Sequence, residues 1–481
     1  MVVGDGNFRA LLAFRVDAGD EKLREHLESA GRNATYISKT SQNEFIDICG
    51  DLIAEQIVAE ACRAEYFTVL CDETTDTGHH EQLCVCIRFV SKSNGYHMIK
   101  EEFLQFQRAE RLTGAALAKQ ILCILRSHKL NISKLVGQGY DGAAAMAGHI
   151  NGVQVNIKLE APLAEYVHCS SHVLNLVLNA ACAVPEIRDM FATVREVTKF
   201  LNESAKRRII VAESLGEEGG RSLVTMCETR FVERHDAILV FHKQLKYTLD
   251  ALEKIAQGMT DRKAADTARS LVRALTVSTF IVALSCARKV MAVTMVLSRS
   301  LQKVNQDLYQ SMQSVNYVAS TLQKWRDDSQ SIATGDADDA VDEWCSGPHG
   351  AFFVAKQVGD EIGVDLIIPR CASRQTARNN VPSDSPSTYY RRAVWYPYLD
   401  AILTSLKEKF SQHQLTLLRL VALVPSMIGT FEWTDVVDCW NIYRSELASE
   451  EEVKSEFEQL KGICLQLTKD RRPSTQLEAL D

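Results

Sequence analysis

The chain has 481 residues, 46% hydrophobic and 24% charged, with a net charge of −8. At roughly 100–200 residues per domain that length suggests two to four domains, and the composition excludes a wholly disordered chain. The charge excludes a strongly basic, histone-like binder but leaves room for a local basic groove.

Residues 1–60 read as helical and amphipathic. No apolar run of about 18 residues stands out, so no membrane span is expected. The opening MVVGDGNFRA lacks the basic and apolar regions of a secretory signal. From about residue 60 the pattern changes to short apolar runs. Tyr66 to Glu73 forms a short strand ending in acids, Gln82 to Val90 alternates, and Tyr96 to Phe106 is a third strand. Asn94-Gly95 between the last two is a hairpin signal. A helix follows near 112–127, then a strand breaking into a glycine-rich turn at Leu135 to Gly142. A further helix, a short strand at YVHC and a helix at HVLNLVLNAA complete the set. A three-strand meander followed by alternating helix and strand is the order of an RNase H-like α/β fold.

Residues 186–347 contain no proline, and their apolar residues recur three and four apart, as in a long helical region. The acidic, small-residue stretch 327–350 reads as a surface loop or linker. Five arginines between Arg370 and Arg392 face one acid, Asp384, and helical patterns resume to the end. Fourteen cysteines are scattered along the chain, most in apolar runs such as those of Cys71, Cys84, Cys86, Cys123 and Cys286. They read as buried, reduced thiols rather than a disulfide framework.

Two acids carry the first candidate chemistry. Asp72 ends the strand YFTVLCD, and Asp141 sits where GQGY breaks into a turn. Two strand-end carboxylates can bridge two divalent metals, one activating the attacking oxygen and one stabilising the leaving oxygen. Hard oxygen ligands suit Mg²⁺ or Mn²⁺. Glu73 and Asp76 lie near Asp72, and composition does not choose among the three. The same acids beside glycines also read as plain turn residues.

Cys169 and His172, with His168, form a second group at the start of a helix. A structural zinc needs four ligands, and no second pair with suitable spacing follows, so a packed Cys/His pair near the site is the expectation. Arg230-Phe231 pairs a phosphate grip with a ring that can stack on a base, or is the start of an amphipathic helix. Arg370 and Arg374 open a basic run suited to tracking a nucleic-acid backbone, or to a solvated loop. No Walker loop, HExxH, GxSxG or dinucleotide fingerprint is present.

The ordered series FTVLCDETTD, EQLCVCIRFV, GQGYDGAAAMAGHINGVQ, YVHCSSHVLNLV, CETRFVERHDAI and PSTYYRRAVWYPYLDAILTSLKEKF resembles hAT-superfamily transposases. It is more similar to their transposase-derived host relatives of the zinc finger MYM type. The resemblance implies an RNase H-like domain interrupted by a large all-helical insertion. It implies DNA cleavage and strand transfer by two Asp and one Glu on divalent metal. Asp72 and Asp141 match the two Asp, Cys169 and His172 match a Cys-x-x-His motif, and Arg230 matches the Arg of an Arg-Trp pair, with Phe231 in place of the Trp. On this basis residues 1–60 form a helical N-terminal segment and 61–200 the first part of the RNase H-like core. Residues 201–368 form the insertion, and 369–481 a helical, basic segment leading towards the family's C-terminal part.

The family's catalytic Glu, in a Ser-Glu-Arg signature within its dimerisation segment, has no counterpart in this sequence, and neither does an N-terminal zinc finger. The expectation is a nuclear, DNA-binding protein that is catalytically incomplete. The alternatives are an active transposase in a longer form, and a host protein-interaction or transcription-regulatory module that has lost DNA binding. DNA is the expected partner, and no membrane is.

Overall fold

The computed structural model describes residues 6–31, 34–93, 95–216, 223, 231–258, 261–304, 308–334, 343–345, 348–370, 381–411, 419–468 and 471–480. The chain divides into two compact units, residues 1–139 with 144–166, and residues 140–143 with 167–481.

The first unit is built on a sheet, of which Tyr140 and residues 167–168 at the ends of the last two strands are counted with the second unit. Its strands are β1 (Phe67–Thr75), β2 (Glu81–Ser93), β3 (Tyr96–Arg108), β4 (Leu135–Tyr140) and β5 (Glu165–His168). Their order is β3-β2-β1-β4-β5. The β1–β2 and β2–β3 ladders are antiparallel and β1–β4 is parallel, as the sequence pattern predicts for a meander followed by crossovers. Ser93 pairs with Tyr96, so the β2–β3 connection is a two-residue turn, with Gly95 at φ +87° where a side chain is disfavoured. Asn94 lies outside the described residues.

Alternation along β2 sets the faces. Leu83, Val85, Ile87 and Phe89 are buried, while Cys84, Cys86 and Arg88 project from the other side and are half-buried. The buried set shares its unit with Leu117, Ile121 and Leu125 of the helix Gly114–Ser127 and with Val153 and Ile157 of Val153–Glu160. Ser91 and Lys100 each donate to the Glu60 carboxylate at 2.6 Å, which ties the long helix Lys39–Arg63 to β2 and β3. The N-terminal segment is helical as expected, but two of its helices, Gly6–Asp17 and Lys39–Arg63, are not amphipathic. Phe14, Phe45, Ile46 and Leu52 are exposed.

In the second unit, every described element from Pro185 onward is helical. The helix Ser278–Leu301 is long and apolar enough to cross a membrane, yet 72% of its most apolar window is buried, which makes it a core helix. Its Lys289 escapes burial cost by donating to the Glu343 carboxylate and to His349 O. The loop reading of 327–350 needs correction at both ends. The helix Leu308–Thr334 continues through its first residues, and Trp344 is fully buried. The Trp344 ring packs 5.8 Å from Trp395 and 5.3 Å from Phe352, and its indole N–H donates to Ser387 Oγ at 3.0 Å. A second, smaller core gathers Trp433, Val436, Phe457 and Cys464.

The cysteine expectation holds only in part. All described cysteines are free, and Cys71 and Cys286 are buried. Cys123 is exposed, and Cys84 and Cys86 are half-buried, because they occupy the outward face of their elements.

Candidate functional site

In the first unit, Asp72 lies on the exposed side of β1, near its C-terminal end. It is the direct antiparallel partner of Cys84 on β2, and Cys84 is in turn the partner of Phe106 on β3. One row therefore reads Asp72, Cys84, Phe106. The next reads Leu70, Cys86, Phe103. Phe103 and Phe106 are three apart and would leave a regular strand on opposite sides. A register shift at Val85/Cys86 returns both to one face, where their rings lie 4.9 Å apart. They are 45% and 57% exposed, so the face is apolar and open.

The geometry separates the three acids that the sequence left undecided. Asp76 is a turn cap. Its carboxylate accepts from the backbone N–H of Gly78 and His80 and from Gln82 Nε2, at 2.8, 2.9 and 3.0 Å. Those bonds, led by the one from His80, hold its carboxyl below the usual range. Glu73 alternates to the opposite side from Asp72 and pairs with buried Leu83. Asp72 alone faces outward on the row described, with Oδ1 accepting from Glu73 N–H at 3.1 Å. Burial raises the Cys84 thiol pKa and pushes that of Cys86 up to about 12, so both are neutral at ordinary pH.

In the second unit, Asp141 follows directly on β4 and is half-buried. Its Oδ1 accepts from Ala143 N–H at 3.1 Å, an Asx turn. Tyr140 O accepts from Cys169 N–H at 2.9 Å, which joins this turn to the Cys-x-x-His segment. The Gly142 backbone lies against the His168 ring, since a Cβ there would stand 2.6 Å from Cε1. The rings of His168 and His172 are 5.6 Å apart. Cys169 precedes the helix Ser170–Ala180 as an exposed residue. The structure thus places Asp141, His168, Cys169 and His172 in one neighbourhood. Among the described residues no group of three or more His, Cys, Asp or Glu is arranged to hold a metal ion.

Of the nucleic-acid candidates, Arg230 and Arg374 lie outside the described residues, and Phe231 opens the helix Phe231–Lys243. Arg370 is exposed. A nearby arginine that the sequence did not single out is interior. Arg234 is buried, stacks 4.2 Å over the Phe191 ring and donates to Asn179 Oδ1 at 2.6 Å. Sequence reasoning also passed over the Cys84/Cys86 pair, although the Cys-Val-Cys alternation was the signal that both thiols share a face.

An α/β domain whose five-strand mixed sheet carries an outward acid near the C-terminal end of its central strand is the class of domain this geometry defines. Residues 3–152 match the family described as DUF4371: ZMYM1/FAM200, RNase-like domain. Over 98% of its length the chain is 26% identical to the human protein called 52 kDa repressor of the inhibitor of the protein kinase, covering 61% of it. The mouse protein of that name is also 26% identical over 98% of the chain, with 62% covered. The chain spans about three fifths of the length of the curated relatives it matches. The resemblance to transposase-derived host proteins, read from the motifs, is borne out.

Proposed function

We propose that the chain is a nuclear, transposase-derived regulatory protein that binds nucleic acid without transposing it. The observation that carries this reading is the similarity along nearly the whole chain to proteins named as repressors, on an RNase-like sheet. In this reading the sheet is RNase H-like and the helices of 201–368 are an insertion into it. Asp72 and Asp141 are the retained acids. Their oxygens are of the kind that holds Mg²⁺ or Mn²⁺, and an ion there would polarise a phosphate oxygen. Each acid also accepts one backbone N–H bond on Oδ1, which orients its carboxylate. Arg230, Phe231, Arg370 and Arg374 supply the contacts to phosphate and base.

Phosphate contacts release counterions, so binding weakens as salt rises. Fluorescence anisotropy of the full chain with a labelled duplex, between about 50 and 200 mM salt, tests this. The expected result is an affinity that falls steeply over that range. Binding that is absent at low salt would contradict the reading. It would favour an interaction module, for which the exposed apolar residues Phe45, Ile46 and Leu52 offer surface.

A further inference from the structure

Cys84 and Cys86 stand two residues apart on β2, so their side chains leave the sheet on the same face. Their Sγ atoms are 4.0 Å apart, and neither forms a disulfide. A disulfide needs about 2.05 Å between sulfurs, so the two thiols are in contact but not bonded. Two thiolates that share one ion at about 2.3 Å each lie roughly 3.8 Å apart at the tetrahedral angle and roughly 4.6 Å apart when in line with it. The observed spacing falls between these limits, so an ion fits without any change in the strand.

The surroundings narrow the ion. Leu70 and Phe103 flank Cys86 across the sheet, and Phe106 flanks Cys84 on one side. The only oxygen donor in either of those rows is Asp72, and among the described residues no three ligands are grouped for a metal. A structural zinc needs four ligands, and magnesium and calcium need a shell of oxygens. Thiolates select soft ions, and at about 2.3 Å per bond sulfurs 4.0 Å apart hold a monovalent d¹⁰ ion at roughly 120°, a bent two-sulfur grip rather than an in-line one.

We propose that Cys84 and Cys86 form a two-thiolate site for a soft monovalent ion of the copper(I) class, on the open face of the sheet. Binding makes two sulfur–metal bonds and releases two thiol protons, with no change in oxidation state. Affinity therefore rises with pH. The site does not depend on nucleic-acid binding, and its failure would leave the proposed function untouched.

The test loads the reduced full chain anaerobically with copper(I) delivered as its bathocuproine disulfonate complex. Retained copper is measured, and free thiols are mapped by alkylation and mass spectrometry. The chain has 14 cysteines, so the comparison is with Cys84→Ser and Cys86→Ser. Wild type should hold one equivalent more than either variant, and the peptide carrying both cysteines should resist alkylation only when copper is present. Cys84→Ala and Cys86→Ala replace the serine variants if those melt early. Equal retention in wild type and variants would overturn the proposal. So would protection of the two thiols without copper, which would signal a disulfide.

Discussion

Asp72 and Cys84 are direct partners across the β1–β2 ladder, so the first candidate acid and a half-buried thiol leave the sheet side by side. The row continues to Phe106, which is exposed. The acid thus stands at the edge of an apolar, thiol-bearing surface, with its charge directed outward. Substituting an exposed residue of this kind shifts stability by about 0.5 kcal/mol or less. Asp72→Ala should therefore melt with the wild type, and any functional change in that variant reports the site. A variant that melts many degrees lower would show that the carboxylate is structural.

Gly114 opens its helix with the backbone of residues 145–152 packed directly against it. A Cβ there would stand 2.2 Å from Asn151 O and 2.7 Å from Ala145 O, both backbone atoms that cannot swing aside. Gly114→Ala should cost about 3 kcal/mol, at the upper end of overpacking penalties. Thermal or urea unfolding measures it. An unchanged midpoint would mean that the 144–152 turn is soft.

Trp344 should behave as a core residue despite the acidic sequence around it. Trp344→Ala should cost about 3–5 kcal/mol, the range for removing a buried aromatic. Trp344→Phe should cost less, because it keeps ring contact with Trp395 and Phe352 and gives up the bond to Ser387. Equal, small losses in both variants would place that segment outside the core.

His242 gives the second unit a pH dependence. Burial first, and the neighbouring Arg288 second, hold its pKa down to about 4, and its Nε2 has no hydrogen-bond partner among the described residues. In the unfolded chain an imidazole titrates near pH 6.5. Above that pH neither state binds the proton. As pH falls from about 6.5 to 4 the unfolded chain takes up the proton well before the folded one does, so stability falls by on the order of 3 kcal/mol. His242→Leu should flatten that part of the stability curve. Parallel curves for the two proteins would contradict the assignment.

The strands of the first unit were legible because each is a short apolar run bounded by turn residues. The Asn94-Gly95 pair announced the hairpin, and Ser93 opposite Tyr96 confirms its length. Asp72 was legible as a strand-end acid. Its separation from Asp76 was not, because the backbone N–H groups that claim Asp76 come from a turn whose shape the sequence does not specify. Phe103 and Phe106 looked like opposite-face residues, and only the register shift puts them together. Trp344 was hidden for a different reason. A window of small and acidic residues reads as solvated, yet one large ring reaches a core built by residues far away in the chain.

The most direct test of the central claim is a cleavage assay on the full chain with Mn²⁺ and nicked or hairpin DNA, comparing wild type with Asp72→Ala. The account predicts binding without turnover, the same in both proteins. Turnover by the wild type that disappears in Asp72→Ala would contradict it and establish a working nuclease.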